Sequence, residues 1–329
     1  MKRSGPKAWI LCQMVRAAIA IMQVFPIDWN LATARLLARL WIFFMPRHRD
    51  RAIRHLTDSY GSSLTPDEIS KLAVRSLEGV VMFAVEVMCL PRLINRSTWS
   101  RYVTVVNIQE LVRLVVEGRG LIMVTGHFGS FELIGHVLSC FKFPVAAVMR
   151  PLDNIYLNRF LVNTRKRNGL ALFDKKGVMA IAERFIEGGG LLCFIGDQDA
   201  GRKGLFVDFF GRPASTYKSI GLLAMRLRRP IVVGYARRHG HQARYDLGVQ
   251  RIIRPEEWET KEDPLRWITQ AYTSSIEAIA RENPEQYLWI HRRWKSQPRS
   301  IGGRPEAVTS PSTAGSPTPA KFESPSRLG

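Results

Sequence analysis

The chain has 329 residues, 46% of them hydrophobic, with a formal net charge of +20 and a pI near 10.4. That length and apolar content suit one large domain or two small ones with a sizeable core, which excludes a disordered or low-complexity chain as a whole. The basic excess calls for an acidic partner, and nucleic acid and an anionic membrane both qualify. Neither a zinc-type cysteine spacing nor a Walker glycine loop is present. Cys12, Cys89, Cys140 and Cys193 each sit in apolar surroundings with no pairing logic, as buried reduced thiols do.

Residues 8–25 form a mostly apolar run behind Lys2, Arg3 and Lys7. A bilayer span takes about 20 such residues, so the run is borderline. Gln13, Arg16 and Gln23 fall on one helical face, which favours a helix lying in an interface or packed on protein over a lipid-surrounded span. Ala18-Ile19-Ala20 resembles a processing site, but Arg16 interrupts the apolar region of such a signal. A second amphipathic helix is expected over residues 31–45, ending at Pro46. Arg35 and Arg39 share one face, and Leu36, Leu37, Leu40, Trp41, Phe43 and Phe44 make up the rest. The basic cluster Arg47, His48, Arg49, Arg51, Arg54 and His55 follows. This is either an apolar wedge beside cations that hold an anionic leaflet, or a core helix with a solvated basic face.

Thr65 as cap and Pro66 at the first position open a further helix reaching about residue 90. Glu86 stands on its apolar stretch and is expected in a structural ion pair rather than in a substrate groove. From Leu121 the period alternates. Apolar runs at 121–125, 143–149, 191–195 and 231–235 are interleaved with helical stretches near 131–141, 154–167, 176–187 and 216–228. The predicted fold is α/β, a largely parallel central sheet flanked by helices, preceded by N-terminal amphipathic membrane-associating helices.

Sites in such sheets gather at the carboxyl ends of strands. His127 follows the first run, Arg150 ends the second, and Asp197 and Asp199 follow the third, so three strand ends converge. His127 lies in the turn 126–130, and Glu132 follows just inside the next helix, where a carboxylate suits the helix dipole. If the turn folds back, Glu132 can accept a hydrogen bond from one ring nitrogen and leave the other as a base. Such a base could deprotonate a hydroxyl that then attacks a carbonyl carbon. With no Gly-x-Ser-x-Gly elbow, direct transfer is favoured over a covalent intermediate. On spacing alone the more ordinary reading is that His127 and Glu132 are turn and helix-start residues that never meet.

Arg150 is placed to bind a phosphate or polarise a carbonyl, or to pair with Asp153 or Asp197. Arg165, Lys166 and Arg167 form a charge run on a helix. Asp197 and Asp199 alternate on an extended segment, so one of them is expected to face the cleft. Gly201-Arg202-Lys203-Gly204 reads as a basic lid or phosphate contact. In residues 287–295 aromatic and basic side chains interleave. Stacking on nucleic acid would account for this. So would Trp289 and Trp294 as packing or interfacial anchors with His291, Arg292, Arg293 and Lys295 facing anionic headgroups, or a plain docking helix. After Pro298 the Ser/Pro/Thr-rich tail 299–329 is expected to be disordered.

His127 and Glu132 in a His-x-x-x-x-Glu pattern after a buried strand resemble the lysophospholipid acyltransferase superfamily. Val148-Met149-Arg150-Pro151, Ile195-Gly196-Asp197-Gln198-Asp199 with Phe209-Phe210-Gly211-Arg212-Pro213, and Trp289-Ile290-His291-Arg292-Arg293-Trp294-Lys295 are similar to blocks of its lipid A biosynthesis branch, in the same order over residues 30–298. The resemblance implies an O-acyltransferase on the cytoplasmic face of the inner membrane, with His127 as base and Glu132 orienting it. Arg150, Asp197, Asp199, Arg202 and Arg167 would bind substrate. It further implies acyl carrier protein or acyl-CoA as donor, a lipid A precursor as acceptor, no cofactor or metal, and no nucleic acid. The expected divisions are N-terminal helices over 1–60, an acyltransferase domain over 61–298 and the tail. A phosphatidylinositol mannoside or a lysophospholipid is the alternative acceptor. A non-enzymatic basic coat for membrane or nucleic acid is the reading from another class, and it would give His127 no role.

Overall fold

A computed structural model describes residues 4–167, 169–174, 177–298, 300–301 and 304–305. Four helices come first: α1 (Pro6–Met22), α2 (Ile27–Phe44), α3 (Pro46–Tyr60) and α4 (Pro66–Leu93). The α/β part follows as β1 (Val103–Val106), α5 (Gln109–Val116), β2 (Leu121–Thr125), α6 (Glu132–Cys140), β3 (Val145–Met149), α7 (Ile155–Lys166), β4 (Ala171–Asp174), α8 (Val178–Glu187) and β5 (Leu191–Ile195). A hairpin of β6 (Leu205–Phe209) and β7 (Arg212–Thr216) leads to α9 (Ser219–Leu227), β8 (Ile231–Arg238), β9 (Tyr245–Ile253), α10 (Pro255–Trp258) and α11 (Pro264–Glu282). Among the described residues seven strands form one sheet in the order β1-β9-β8-β2-β5-β3-β4. The five strands from β8 to β4 are parallel, and β9 turns back antiparallel on β8 with β1 beside it.

The strands form because they are short apolar runs that can be buried on both faces. Alternate residues of β2 enter opposite layers: Ile122 and Val124 join a core with α8, α9 and α11, while Leu121 and Met123 join a core with α4, α5 and α6. Each Leu or Ile so buried contributes roughly 1.5–3 kcal/mol. The four apolar runs expected as strands are β2, β3, β5 and β8, and the four interleaved helices are α6, α7, α8 and α9.

Helix α4 opens with a full capping box between Thr65 and Glu68. It carries two buried carboxylates. Glu86 is fully buried and holds Arg238 of β8 at 2.5 and 3.1 Å and the Tyr245 hydroxyl of β9 at 2.8 Å, the structural ion pair expected of it. Glu78 accepts from Arg39 Nε at 2.8 Å, with Arg35 Nε at 3.5 Å.

In α2 the small residues Ala34 and Ala38 turn inward, while Leu36, Leu37, Leu40, Phe43 and Phe44 are exposed. The helix thus packs on the core through Ile27, Leu31, Ala34, Ala38 and Ile42 while large apolar side chains and the Arg39 guanidinium stay exposed on its other sides. Helix α1 buries only Cys12 and Ile19 and exposes Trp9, Ile10, Leu11 and Met14. Asn30 closes the corner between these helices with a hydrogen bond to the Met22 carbonyl at 2.7 Å. Among the described residues no helix is long and apolar enough to cross a membrane. Part of the basic cluster after α2 faces protein: His55 meets the Trp289 carbonyl at 2.7 Å. Residues 300–301 and 304–305 pair as two short strands, and the remainder of the tail expected to be disordered lies outside the described residues.

Candidate active site

The parallel register builds the site. Strand β2 pairs with β5 so that Thr125 stands opposite Ile195, and the ladder continues through the Gly196 amide, which donates to the Thr125 carbonyl at 2.8 Å. Two residues further along each chain, at the same level, are His127 and Asp197. Asp197 is fully buried and takes both donors of His127: the ring Nδ1 at 2.7 Å through Oδ1 and the backbone amide at 2.8 Å through Oδ2. An ionised carboxylate accepts only, so in the neutral ring Nδ1 carries the proton and Nε2 keeps the lone pair. Burial by itself would raise the Asp197 pKa; the His127 contact, with His291 nearby and the amide bond, outweighs it and holds the carboxyl well below the usual range.

Gly126 permits this approach, since a Cβ there would meet Ile276 at 2.6 Å and Asp197 at 3.3 Å. The turn is then sewn to the C-terminal segment. The Leu288 amide donates to the His127 carbonyl and the Gly129 amide to the Gln286 carbonyl, both at 3.0 Å, and Phe128 bridges Tyr287. Gly129 has φ +53°, and a Cβ there would stand 2.1 Å from the Ala236 carbonyl oxygen. His291 stacks on His127, centroids 5.2 Å apart and planes 24° from parallel, and Phe131 meets the ring edge-on at 5.4 Å. Burial pushes the His291 pKa down beside His127. The buried Tyr287 hydroxyl lies near Asp197 without a well-formed hydrogen bond.

Glu132 does not orient His127. Its two oxygens are clamped by Arg165 of α7, with Nε at 2.9 Å and Nη2 on the other oxygen. The first helical turn carries Glu132 toward α7, and the strand register gives His127 to Asp197 instead. The Glu132–Arg165 pair borders an apolar cavity of about 130 Å³ between the sheet and α6, walled by Met123, Ala147, Cys193 and Ile134 and by Thr125 and Phe131 on either side of the His127 turn. A second apolar cavity of about 230 Å³ lies between α5 and α6 and shares Met123, Ile134 and Gly234 with the first.

The other predicted site residues divide. Arg150 is exposed at the end of β3, and with Asp197 committed to His127 the Arg150–Asp197 pair is not formed. Asp199 is turned to structure, accepting from the Gly201 amide at 3.2 Å and from the Ser296 amide and hydroxyl at 3.2 and 3.1 Å. Arg202 and Lys203 are exposed on a turn pinned by the Gly204 amide to the Gly201 carbonyl. Arg167 is exposed, two residues along from Arg165. Residues 287–295 are not a helix. Trp289 and Arg293 are fully buried, Arg293 donating to the Ser215 carbonyl and to the Thr216 hydroxyl, so neither faces headgroups. Among the described residues no three His, Cys, Asp or Glu side chains are placed to hold a metal.

Residues 1–296 match the profile of the bacterial lipid A biosynthesis acyltransferase family. The chain belongs to that family. It is similar to the lipid A biosynthesis lauroyltransferase of Escherichia coli strain K12, at 24% identity over 91% of this chain and 95% of that one. It is also similar to the lipid A biosynthesis palmitoleoyltransferase of the same strain, at 30% identity over 61% and 64%. A lipid A biosynthesis acyltransferase of Haemophilus influenzae is 26% identical over 54% of this chain and 57% of that one. The protein is thus an acyltransferase, and its family membership accounts for the order of the sequence blocks along the chain.

Within this acyltransferase, the residues that local spacing misses are the Asp197 partner of His127, Arg165, Tyr287 and His291. One signal for Asp197 lies in the sequence: Val124-Thr125-Gly126-His127 and Phe194-Ile195-Gly196-Asp197 repeat one pattern, a strand end, a glycine and a polar residue.

Proposed function

We propose that the protein moves a fatty acyl chain from an acyl thioester, on acyl carrier protein or coenzyme A, to a hydroxyl of a lipid A precursor at the cytoplasmic face of the inner membrane. One observation carries this reading: the His127–Asp197 pair stands in the turn whose flanking residues wall an apolar cavity. His127 Nε2 takes the proton of the acceptor hydroxyl as its oxygen attacks the thioester carbonyl. Asp197 fixes the tautomer and stabilises the imidazolium. The tetrahedral intermediate collapses with cleavage of the C–S bond, and the imidazolium returns its proton to the departing sulfur. The acyl chain lies in the cavity beneath α6, whose apolar walls and single charged edge suit a hydrocarbon tail with its thioester at the Glu132–Arg165 end. Glu132 holds Arg165 in place there, and the guanidinium faces the oxygen that gains charge. Arg150, Arg167 and Arg202 are exposed cations available to the acceptor's phosphates.

Membrane association rests on the apolar residues that α1 and α2 turn outward beside the basic start of α3. The test is transfer of a labelled acyl group from each donor to a lipid A precursor. His127→Ala lowers kcat/KM at least about 10²-fold. Undiminished transfer by that variant overturns the mechanism, and transfer to lysophospholipid in preference to lipid A precursor overturns the acceptor.

A further inference from the structure

A charged cleft stands apart from the acyl cavity, between α2, α4 and the β8–β9 turn. Arg35, Arg39, Lys71, Arg75, Glu78 and His241 line an open space of about 340 Å³. Four cations thus surround one carboxylate, and that carboxylate is buried and taken: Glu78 is 2% exposed and holds Arg39 and Arg35. Arg35 Nε is shielded from solvent and has no hydrogen-bond partner. Lys71 pairs with the exposed Asp67. Arg75, among the described residues, has no carboxylate within ion-pair distance. The local field registers on His241, whose pKa is pushed down by burial first and then by Arg35, Arg238 and Arg75 against Glu78.

The position of this cleft on α2 gives it a ligand. Helical spacing puts Arg35 and Arg39 on one stripe, and the adjoining stripe carries Leu36, Leu40 and Phe43, which are 60%, 48% and 78% exposed. A helix of this kind lies with its apolar side about 5–10 Å into the boundary between headgroups and acyl chains, which sets flanking guanidinium groups at the depth of the phosphates. Arginine also matches phosphate geometry with paired donors. We propose that the cleft between α2, α4 and the β8–β9 turn docks the phosphate of an anionic phospholipid in the bilayer on which α2 rests. The cleft adds a headgroup contact to the membrane association proposed above, on which it depends. None of its residues lines the acyl cavity, so it orients the enzyme on the membrane and takes no part in transfer.

The test is co-sedimentation of the full chain with vesicles of phosphatidylcholine alone and of phosphatidylcholine with phosphatidylglycerol. Lys71→Gln/Arg75→Gln removes two cleft cations and leaves Arg35 and Arg39 on buried Glu78. Arg113→Gln/Arg119→Gln removes the same charge from exposed positions at the opposite end of β2. The cleft variant weakens partition to phosphatidylglycerol vesicles about tenfold or more, with neutral-vesicle binding unchanged, and the control variant changes it less than about twofold. Equal losses in the two variants would assign the effect to overall charge and overturn the cleft. A thermal shift by inorganic phosphate that the cleft variant abolishes, without any vesicle effect, makes it a soluble-anion site and also overturns the proposal. Wild-type protein that sediments with neither vesicle removes membrane association itself, a failure distinct from equal binding by wild type and variant. Melting curves check that both variants fold, and Arg75→Gln alone serves if the double variant does not.

Discussion

Asp197 is buried and ionised while bound to both donors of His127, so the proton-transfer role proposed for this pair is tied to stability. Its pKa is depressed, so it contributes stability above the ordinary carboxylate value of about 3.9, and that contribution is lost as pH falls through the native value. Asp197→Asn keeps the shape but presents an amide N–H or a weaker acceptor to Nδ1. We expect kcat to fall by up to about 10⁴-fold, and urea denaturation at neutral pH to show a loss of about 1–3 kcal/mol. Activity within a few-fold of wild type would leave His127 without need of this partner. Gly129 is the second sensitive position. Gly129→Ala drives a methyl group into the Ala236 carbonyl at a φ that alanine resists, so the turn shifts. Both the unfolding midpoint and kcat should drop, and a normal midpoint with normal kcat would show that the turn tolerates the change.

Between elements, the buried Glu86–Arg238–Tyr245 cluster joins α4 to β8 and β9. Removing one partner strands a charge, so Arg238→Met should cost about 3–5 kcal/mol in denaturant unfolding, and adding Glu86→Leu should recover much of it. The two apolar cavities share Gly234 in their walls, where a Cβ finds only ordinary contacts, the nearest the Gly248 carbonyl at 3.4 Å. Gly234→Val fills space beside both cavities, so if the acyl chain runs along this wall, competition between thioesters of different length should shift toward shorter chains. An unchanged product distribution would separate the second cavity from the acyl path. At this scale the central strands and their helices are legible in the sequence, because an apolar run of four or five residues between glycines is too short to bury itself as a helix. The partner of His127 is not. A parallel strand pairs with a segment far along the chain, and only the register brings Asp197 level with His127, whereas Glu132 has nearness in sequence alone to recommend it. The outward turn of α2 is likewise hidden, since spacing locates an apolar stripe without saying which side meets protein. The irregular path of residues 287–295 is hidden too, because buried Arg293 and Trp289 donate to the Ser215 and Pro284 carbonyls, contacts that no spacing along the chain announces.

For the molecule as a whole, three partly buried histidines set the acid limit. Burial depresses His55, His136 and His291 below the ordinary value of about 6.5, against opposing contributions from the Trp289 and Ile94 carbonyls and Asp197. Protonation therefore favours the unfolded chain: their stability contribution is complete above about pH 6.5 and declines as pH falls from there toward the native values. The urea midpoint should drop between about pH 7 and pH 5, and replacing His136 by Gln should flatten that slope. A midpoint that stays level over this interval would mean the rings take up protons without unfolding.

The stitching of residues 286–288 to the His127 turn has a consequence for biogenesis. A ribosome delivers the β2 turn long before it delivers its clamp, so every nascent chain passes through a stage in which the sheet can assemble but the histidine loop has nothing to lock against. On the role proposed for His127, competence arrives only once residues 286–288 have emerged, and a messenger truncated ahead of codon 286 is expected to yield a chain that folds in part but transfers no acyl group.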